Sequence, residues 1–204
     1  MIVLPVILFL FTVLILPVMV TGLTMDVVTV AVAKLGFDPN VALLLLAAVV
    51  IGSSINIPLY TKQLSAVGMP WSNQQTKVML NVGGGLIPVL LAMYQFSQGH
   101  AIAILATTAI VTAISYYSAQ IVPGIGIRMN ALVAPLTAVV CAWLLGAAAA
   151  PSIAFAGGIL GTVIGADLLH LKEIERVSTG TLSIGGAGVL DGIALCGLFA
   201  LLLA

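Results

Sequence analysis

The chain has 204 residues, of which 62% are hydrophobic and only 6% charged, and its mean hydropathy of +1.30 is too high for a soluble domain of this size. Six basic and six acidic residues cancel to a net charge of zero, which leaves no basic surface for nucleic acid. Apolar runs of roughly 20 residues recur, each long enough to cross about 30 Å of hydrocarbon, so a polytopic membrane protein in contact with the lipid bilayer is expected. Open sheet edges are not tolerated in lipid. The expected fold is therefore an all-α transmembrane bundle forming a single integral membrane domain over 1–204.

About seven spans are expected, near 2–22, 40–58, 78–96, 101–119, 130–148, 152–170 and 182–203. Met1-Ile-Val-Leu-Pro-Val lacks a basic leader, so the first segment reads as a retained span. Met25 to Gly36 reads as a short amphipathic helix along one interface. Asp38-Pro39 offers a cap followed by proline in the first turn, Pro151 opens the sixth span, and Ser178, Thr179 and Thr181 offer caps for the seventh. Cys141 and Cys196 fall inside spans, where cysteine acts as a small apolar residue. Lys62, Lys77, Arg128, Lys172 and Arg176 fall in the connections that share a side with the N-terminus, and only Lys34 lies opposite. By the positive-inside rule the N-terminus is cytoplasmic and the C-terminus outside.

A faint internal repeat pairs Val50-Ile-Gly-Ser-Ser-Ile-Asn-Ile-Pro-Leu59 with Val163-Ile-Gly-Ala-Asp-Leu-Leu-His-Leu171, and Leu80-Asn-Val-Gly-Gly-Gly-Leu86 with Leu182-Ser-Ile-Gly-Gly-Ala-Gly188. Two parallel three-helix units joined by a linking helix would account for it.

Asp167 and Asp191 are the candidate catalytic residues. Carboxylates in hydrocarbon are unfavourable by roughly 2.5–3.5 kcal/mol each on insertion scales, so they face a protein interior or a water-filled cavity. Asp167 is expected about four residues from the cytoplasmic end of its helix and Asp191 about nine residues into its own, at depths of about 6 Å and 13 Å. Gly157, Gly158, Gly161 and Gly165 form a small-residue stripe, answered by Gly185, Gly186 and Gly188, through which the two arms are expected to pack. Two carboxylates in one low-dielectric site share a proton, so that one activates water while the other donates to a carbonyl oxygen. The alternative role for either acid is a hydrogen bond that keeps two helices in register. Asp167, His170 and Glu173 share a helix face, but they lack a full ligand set, so neither a metal nor another cofactor is expected. His170 is expected at the lipid interface, and His100 is expected to be solvated.

Asn56 and Pro58 interrupt the second span, Asn81 with Gly83-Gly84-Gly85 and Pro88 the third, and Asn130 with Pro135 the fifth. Broken helices at membrane depth occur where they line a cavity. A cytoplasm-facing polar cavity is therefore expected, lined by Asn56, Asn81, Asn130, Gly165, Gly185, Gly186 and Gly188 around the two acids.

The strings Gly52-Ser-Ser-Ile-Asn-Ile-Pro58, Asn81-Val-Gly-Gly-Gly85, Gly124-Ile-Gly126, Gly165-Ala-Asp167 and Gly185-Gly-Ala-Gly-Val-Leu-Asp-Gly192 resemble an uncharacterised family of bacterial and archaeal membrane proteins, a domain of unknown function. The resemblance implies a prokaryotic plasma-membrane location. In geometry the acid hairpin is also similar to the presenilin and prepilin-peptidase type of intramembrane aspartyl protease, with one acid near the cytoplasmic end of a helix and its partner early in the next. The Gly-x-Gly-Asp order of those proteases is absent, and Asn130-Ala-Leu-Val-Ala-Pro135 is only a shadow of their Pro-Ala-Leu motif and precedes the acids. Two functions are expected to compete. One is an intramembrane aspartyl hydrolase acting on a transmembrane peptide. The other is a small proton- or cation-coupled transporter or channel that uses the same acids on an ion or solute.

Overall fold

The computed structural model describes residues 32–63, 75–122, 126–177, 180–186 and 192–204. The expected span 2–22 and most of the expected amphipathic helix lie outside them.

Helix α1 spans Pro39–Gly52, with Asp38 as N-cap accepting a hydrogen bond from the Asn40 N–H at 2.9 Å and proline in the first turn. The chain then extends as β1, Asn56–Gln63, and returns as β2, Gln75–Asn81. A π-helical turn, Val82–Leu86, leads into α2, Ile87–Phe96. Helix α3 spans Ala101–Ser118, and β3, Gln120–Val122, pairs antiparallel with β4, Gly126–Arg128. Helix α4, Val133–Gly146, turns through a 3-10 segment, Ala147–Ala149, into α5, Ala150–Thr162. A second π-turn, Val163–Leu168, ends α5; α6 covers Leu171–Val177, β5 Gly180–Ile184 and α7 Gly192–Leu203.

Strands β1, β2 and β5 form a sheet in that order. β1 pairs antiparallel with β2, and β2 pairs parallel with β5, Leu80 facing Ile184. Pro58, which cannot donate to a ladder, lies on edge strand β1 beside a register shift between Pro58 and Tyr60.

The all-α, seven-span expectation is corrected here. The fold is mostly helical but contains strands, and among the described residues two helices are long and apolar enough to cross a membrane: α3, and the helical run Val133–Glu175 that includes α4 and α5. Asn40–Gly52 and Val82–Phe96 are shorter apolar helices. Stretches expected to be helical at 56–58, 78–81 and 182–184 are strands. Thr76 and Val78 are fully buried while Gln75 and Lys77 are exposed, the period of two that a pleated strand imposes. The proposed repeat partners also differ in form. After Gly52 the chain enters a strand, whereas after the second π-turn it enters helix α6.

Helix α5 is the centre of the bundle. Residues 153–159 are all buried, and α2, α3, α4 and α7 pack around it. The outer faces are apolar as well: Ile102 is 86% exposed, Leu144 80% and Leu44 69%. Large aliphatic side chains so displayed are unusual on a water-facing surface.

Candidate functional site

The polar centre of the fold lies where β1 begins and β2 ends. Asn81 is almost fully buried. Its Nδ2 donates to Ser53 O at 2.8 Å and to Asn56 Oδ1 at 3.2 Å, and its Oδ1 accepts from the Gly84 N–H at 2.7 Å. The Ser183 hydroxyl on β5 donates to Asn56 Oδ1 at 2.5 Å. One asparagine thus caps the first π-turn while tying it to the end of α1 and to β1. Asn56 carries the link onward to β5.

Beyond this node, the two parallel strands run into glycines that touch. A Cβ on Gly185, whose φ is +70°, would lie 2.6 Å from the carbonyl carbon of Gly84, and a Cβ on Gly84 would meet the Gly185 carbonyl. Only glycine allows this crossing of backbones. Gly186 closes the turn, its N–H donating to Ser183 O at 3.1 Å.

Asp167 sits half-buried on the second π-turn. Such π-bulges are rare and frequent at functional sites. Gly165 on the same turn packs against α3, where a Cβ would come within 3.0 Å of the Ser115 Cβ. Gly157 and Gly161 meet Thr107 and Val111 of the same helix, and Gly158 meets Ala138 and Cys196. The glycine stripe is therefore a packing face, as expected, but its main partner is α3. The expected packing of this stripe against Gly185 and Gly186 is corrected, because Gly185 is occupied by Gly84 and Gly85. Asp191 and Gly188 lie outside the described residues.

Helices α5 and α7 pack directly and antiparallel. Gly158 faces Cys196, Gly197 faces Phe155, and Thr162 Oγ1 lies 3.3 Å from Cys196 Sγ. The arms that lead to the two acids are thus neighbours. Asn130 sits elsewhere: it is exposed, and its Oδ1 accepts from the Leu132 N–H at 3.1 Å ahead of α4.

Two features were missed in the sequence. His170 is buried, not interfacial. Its Nδ1 lies 3.0 Å from Gly165 O and 3.1 Å from Ala166 O, and its ring stacks on Tyr116 at 4.6 Å between centroids. A histidine just past a helix end is a recognisable C-terminal cap, so this signal was available. The second is a clamp between β1 and α6. Glu175, 5% exposed, accepts from Lys62 Nζ at 2.5 Å and from the Tyr60 hydroxyl. The Lys62 bond, then the Tyr60 bond, hold the Glu175 carboxyl below its ordinary range. Desolvation of its hydroxyl, reinforced by Glu175, pushes Tyr60 up to about 12 even though its ring is partly exposed. Residues more than 100 positions apart make this clamp, and nothing local signals it.

Among the described residues no group of three or more histidine, cysteine, aspartate or glutamate side chains could hold a metal ion. No curated protein and no solved structure matches the chain. Residues 50–203 match the family described as "Protein of unknown function (DUF1614)". That match covers the polar node, both π-turns and both acids, and the chain belongs to this family.

Proposed function

We propose that the protein is a multi-pass intramembrane aspartyl hydrolase in which Asp167 and Asp191 share one site on the sheet side of the bundle and act on a transmembrane peptide. The observation that carries this reading is the Thr162–Cys196 contact between antiparallel α5 and α7. Asp167 lies five residues after Thr162 in the sequence, and Asp191 five residues before Cys196. On antiparallel arms, equal offsets from a shared contact correspond to equal heights, about 7–8 Å beyond it by helical rise. The strand Gly180–Ile184 supports the same reading, since 182–184 do not form the helical start from which the greater depth of Asp191 was counted. At a common height, one carboxyl retains the proton and donates to the scissile carbonyl oxygen while the other, ionised, takes a proton from the attacking water.

The apolar outer faces support a lipid setting. The aromatic residues support its borders: Phe37 stacks on Tyr94 at 5.3 Å at one end of the bundle, and Tyr116 and Tyr117 end α3 at the other. Lys62, Lys77, Arg128 and Lys172 all lie at the sheet end, which is therefore assigned to the cytoplasm.

A second reading is favoured by the crossing of Gly185 over Gly84 in the first π-turn, since interrupted helices frame ion sites in carriers. One experiment separates the two. Purified wild type, Asp167→Asn and Asp191→Asn are assayed for cleavage of membrane-spanning peptides and for proton or cation flux in liposomes. Cleavage lost in both folded variants is the expected result. Acid-dependent flux without cleavage would install the carrier, and wild-type behaviour of both variants in both assays would make the acids structural.

A further inference from the structure

We infer that His170 is a positioning residue for Asp167, its imidazole holding the π-turn on which the acid is carried; the inference rests on Asp167 being an acting acid, as proposed above. At the end of a helix the last carbonyls lose their intrahelical donors. Here the chain turns at Leu169 and His170, with the Leu169 N–H bonded to Ile164 O at 3.0 Å, and a new helix begins at Leu171. Gly165 O and Ala166 O, the two carbonyls just before Asp167, receive the His170 ring instead, at 3.0 Å and 3.1 Å. Both oxygens can only accept, so Nδ1 carries a proton whether the ring is neutral or charged.

The ring is itself fixed. It is buried and stacked on Tyr116 with an interplanar angle of 24°. Tyr116 follows Ser115, against which Gly165 packs, so the imidazole fastens the π-turn to the last turn of α3 from both sides. A π-turn holds one residue more than the corresponding α-turn. If it relaxes, the residues beyond the slip rotate by about one helical position, roughly 100°. Loss of the imidazole therefore carries half-buried Asp167 toward the position that Leu168, 47% exposed, holds in the intact turn, and so toward greater exposure.

The test reads Asp167 without requiring any activity. Wild type, His170→Ala, His170→Gln and Tyr116→Ala are placed in lipid nanodiscs and treated at one pH with dicyclohexylcarbodiimide, which attacks carboxyls reached from the lipid. Modification of the Asp167 peptide is followed by mass spectrometry, with Asp167→Asn as blank and circular dichroism as the folding control. His170→Ala is expected to speed modification of Asp167 at least threefold. His170→Gln, whose carboxamide N–H can reach the same carbonyls, is expected to stay within twofold of wild type, and Tyr116→Ala to fall between the two. Unchanged Asp167 reactivity in folded His170→Ala overturns the inference, as does His170→Gln behaving like His170→Ala. If His170→Ala does not fold, Tyr116→Ala decides, and a wild-type rate there overturns it. Altered reactivity together with acids dispensable for cleavage would refute the aspartyl reading and leave the positioning role standing.

Discussion

Replacing Gly185 with alanine tests whether the crossing of β5 over the first π-turn holds the site together. Two penalties fall on Gly185→Ala. Its φ of +70° is left-handed, which disfavours an L side chain by about 1–2 kcal/mol. The new Cβ would also sit 2.6 Å from the Gly84 carbonyl carbon and 2.6 Å from the Gly85 nitrogen. These are backbone atoms that cannot swing aside, so overpacking adds about 1–3 kcal/mol. The sum is about 2–5 kcal/mol, a large share of the roughly 5–15 kcal/mol by which a domain is stable. Gly36→Ala is the matched control: its φ is +85°, but nothing lies within 4 Å of its Cβ, so only the first penalty applies. Gly84→Ala carries only the second. All three are compared with wild type by denaturant unfolding in one detergent, followed by circular dichroism. Gly185→Ala is expected to lose clearly more stability than Gly36→Ala, and the Gly84/Gly185 double variant less than the sum of its singles, because they share one contact. Equal losses in Gly185→Ala and Gly36→Ala would refute the close crossing.

Asn81→Ala removes three hydrogen bonds from a buried site and strands the Gly84 N–H, and is expected to lose about 2–4 kcal/mol in the same unfolding assay; a loss under about 0.5 kcal/mol would contradict the node. The clamp gives a pH dependence. Because the Glu175 carboxyl is held below its ordinary range, its contribution is fully present above the unfolded value of about 4.3 and is lost as pH falls through the lower folded value. Lys62→Met is expected to move that acid loss to higher pH, whereas an unshifted acid limb would show that the pair contributes nothing. Gly161→Val drives a branched side chain into Val111, a Cβ there lying 2.6 Å from the Val111 Cβ, and is expected to destabilise by about 1–3 kcal/mol. Unchanged stability would mean that α3 and α5 are not in contact at this point.

The helices were legible because their signals are local. Asp38-Pro39 marked the start of α1, and the expected span 101–119 differs from α3 by a single residue. The strands were not. Runs such as Thr76 to Asn81 are too short for periodicity to separate helix from strand, and the long connections around Lys62, Lys77 and Lys172 read as polar loops because their pairing is non-local. Asn81 was singled out as a helix break, and it is the cap of a π-turn. The glycine stripe was correctly read as a packing face, but spacing identifies a face and not what covers it. For the same reason the sequence groups Asn56 and Asn81, which are joined, with Asn130, which lies in the turn ahead of a different helix.

The central claim, that Asp167 and Asp191 occupy one site, is tested most directly by a D167C/D191C pair with Cys141 and Cys196 replaced by serine, treated in membranes with the shortest bifunctional methanethiosulfonate. A T162C variant that keeps native Cys196 is the positive control, since Thr162 and Cys196 touch. The shared-site reading requires efficient intramolecular linkage of positions 167 and 191, matching the control. Linkage of the control with none between 167 and 191 would contradict it.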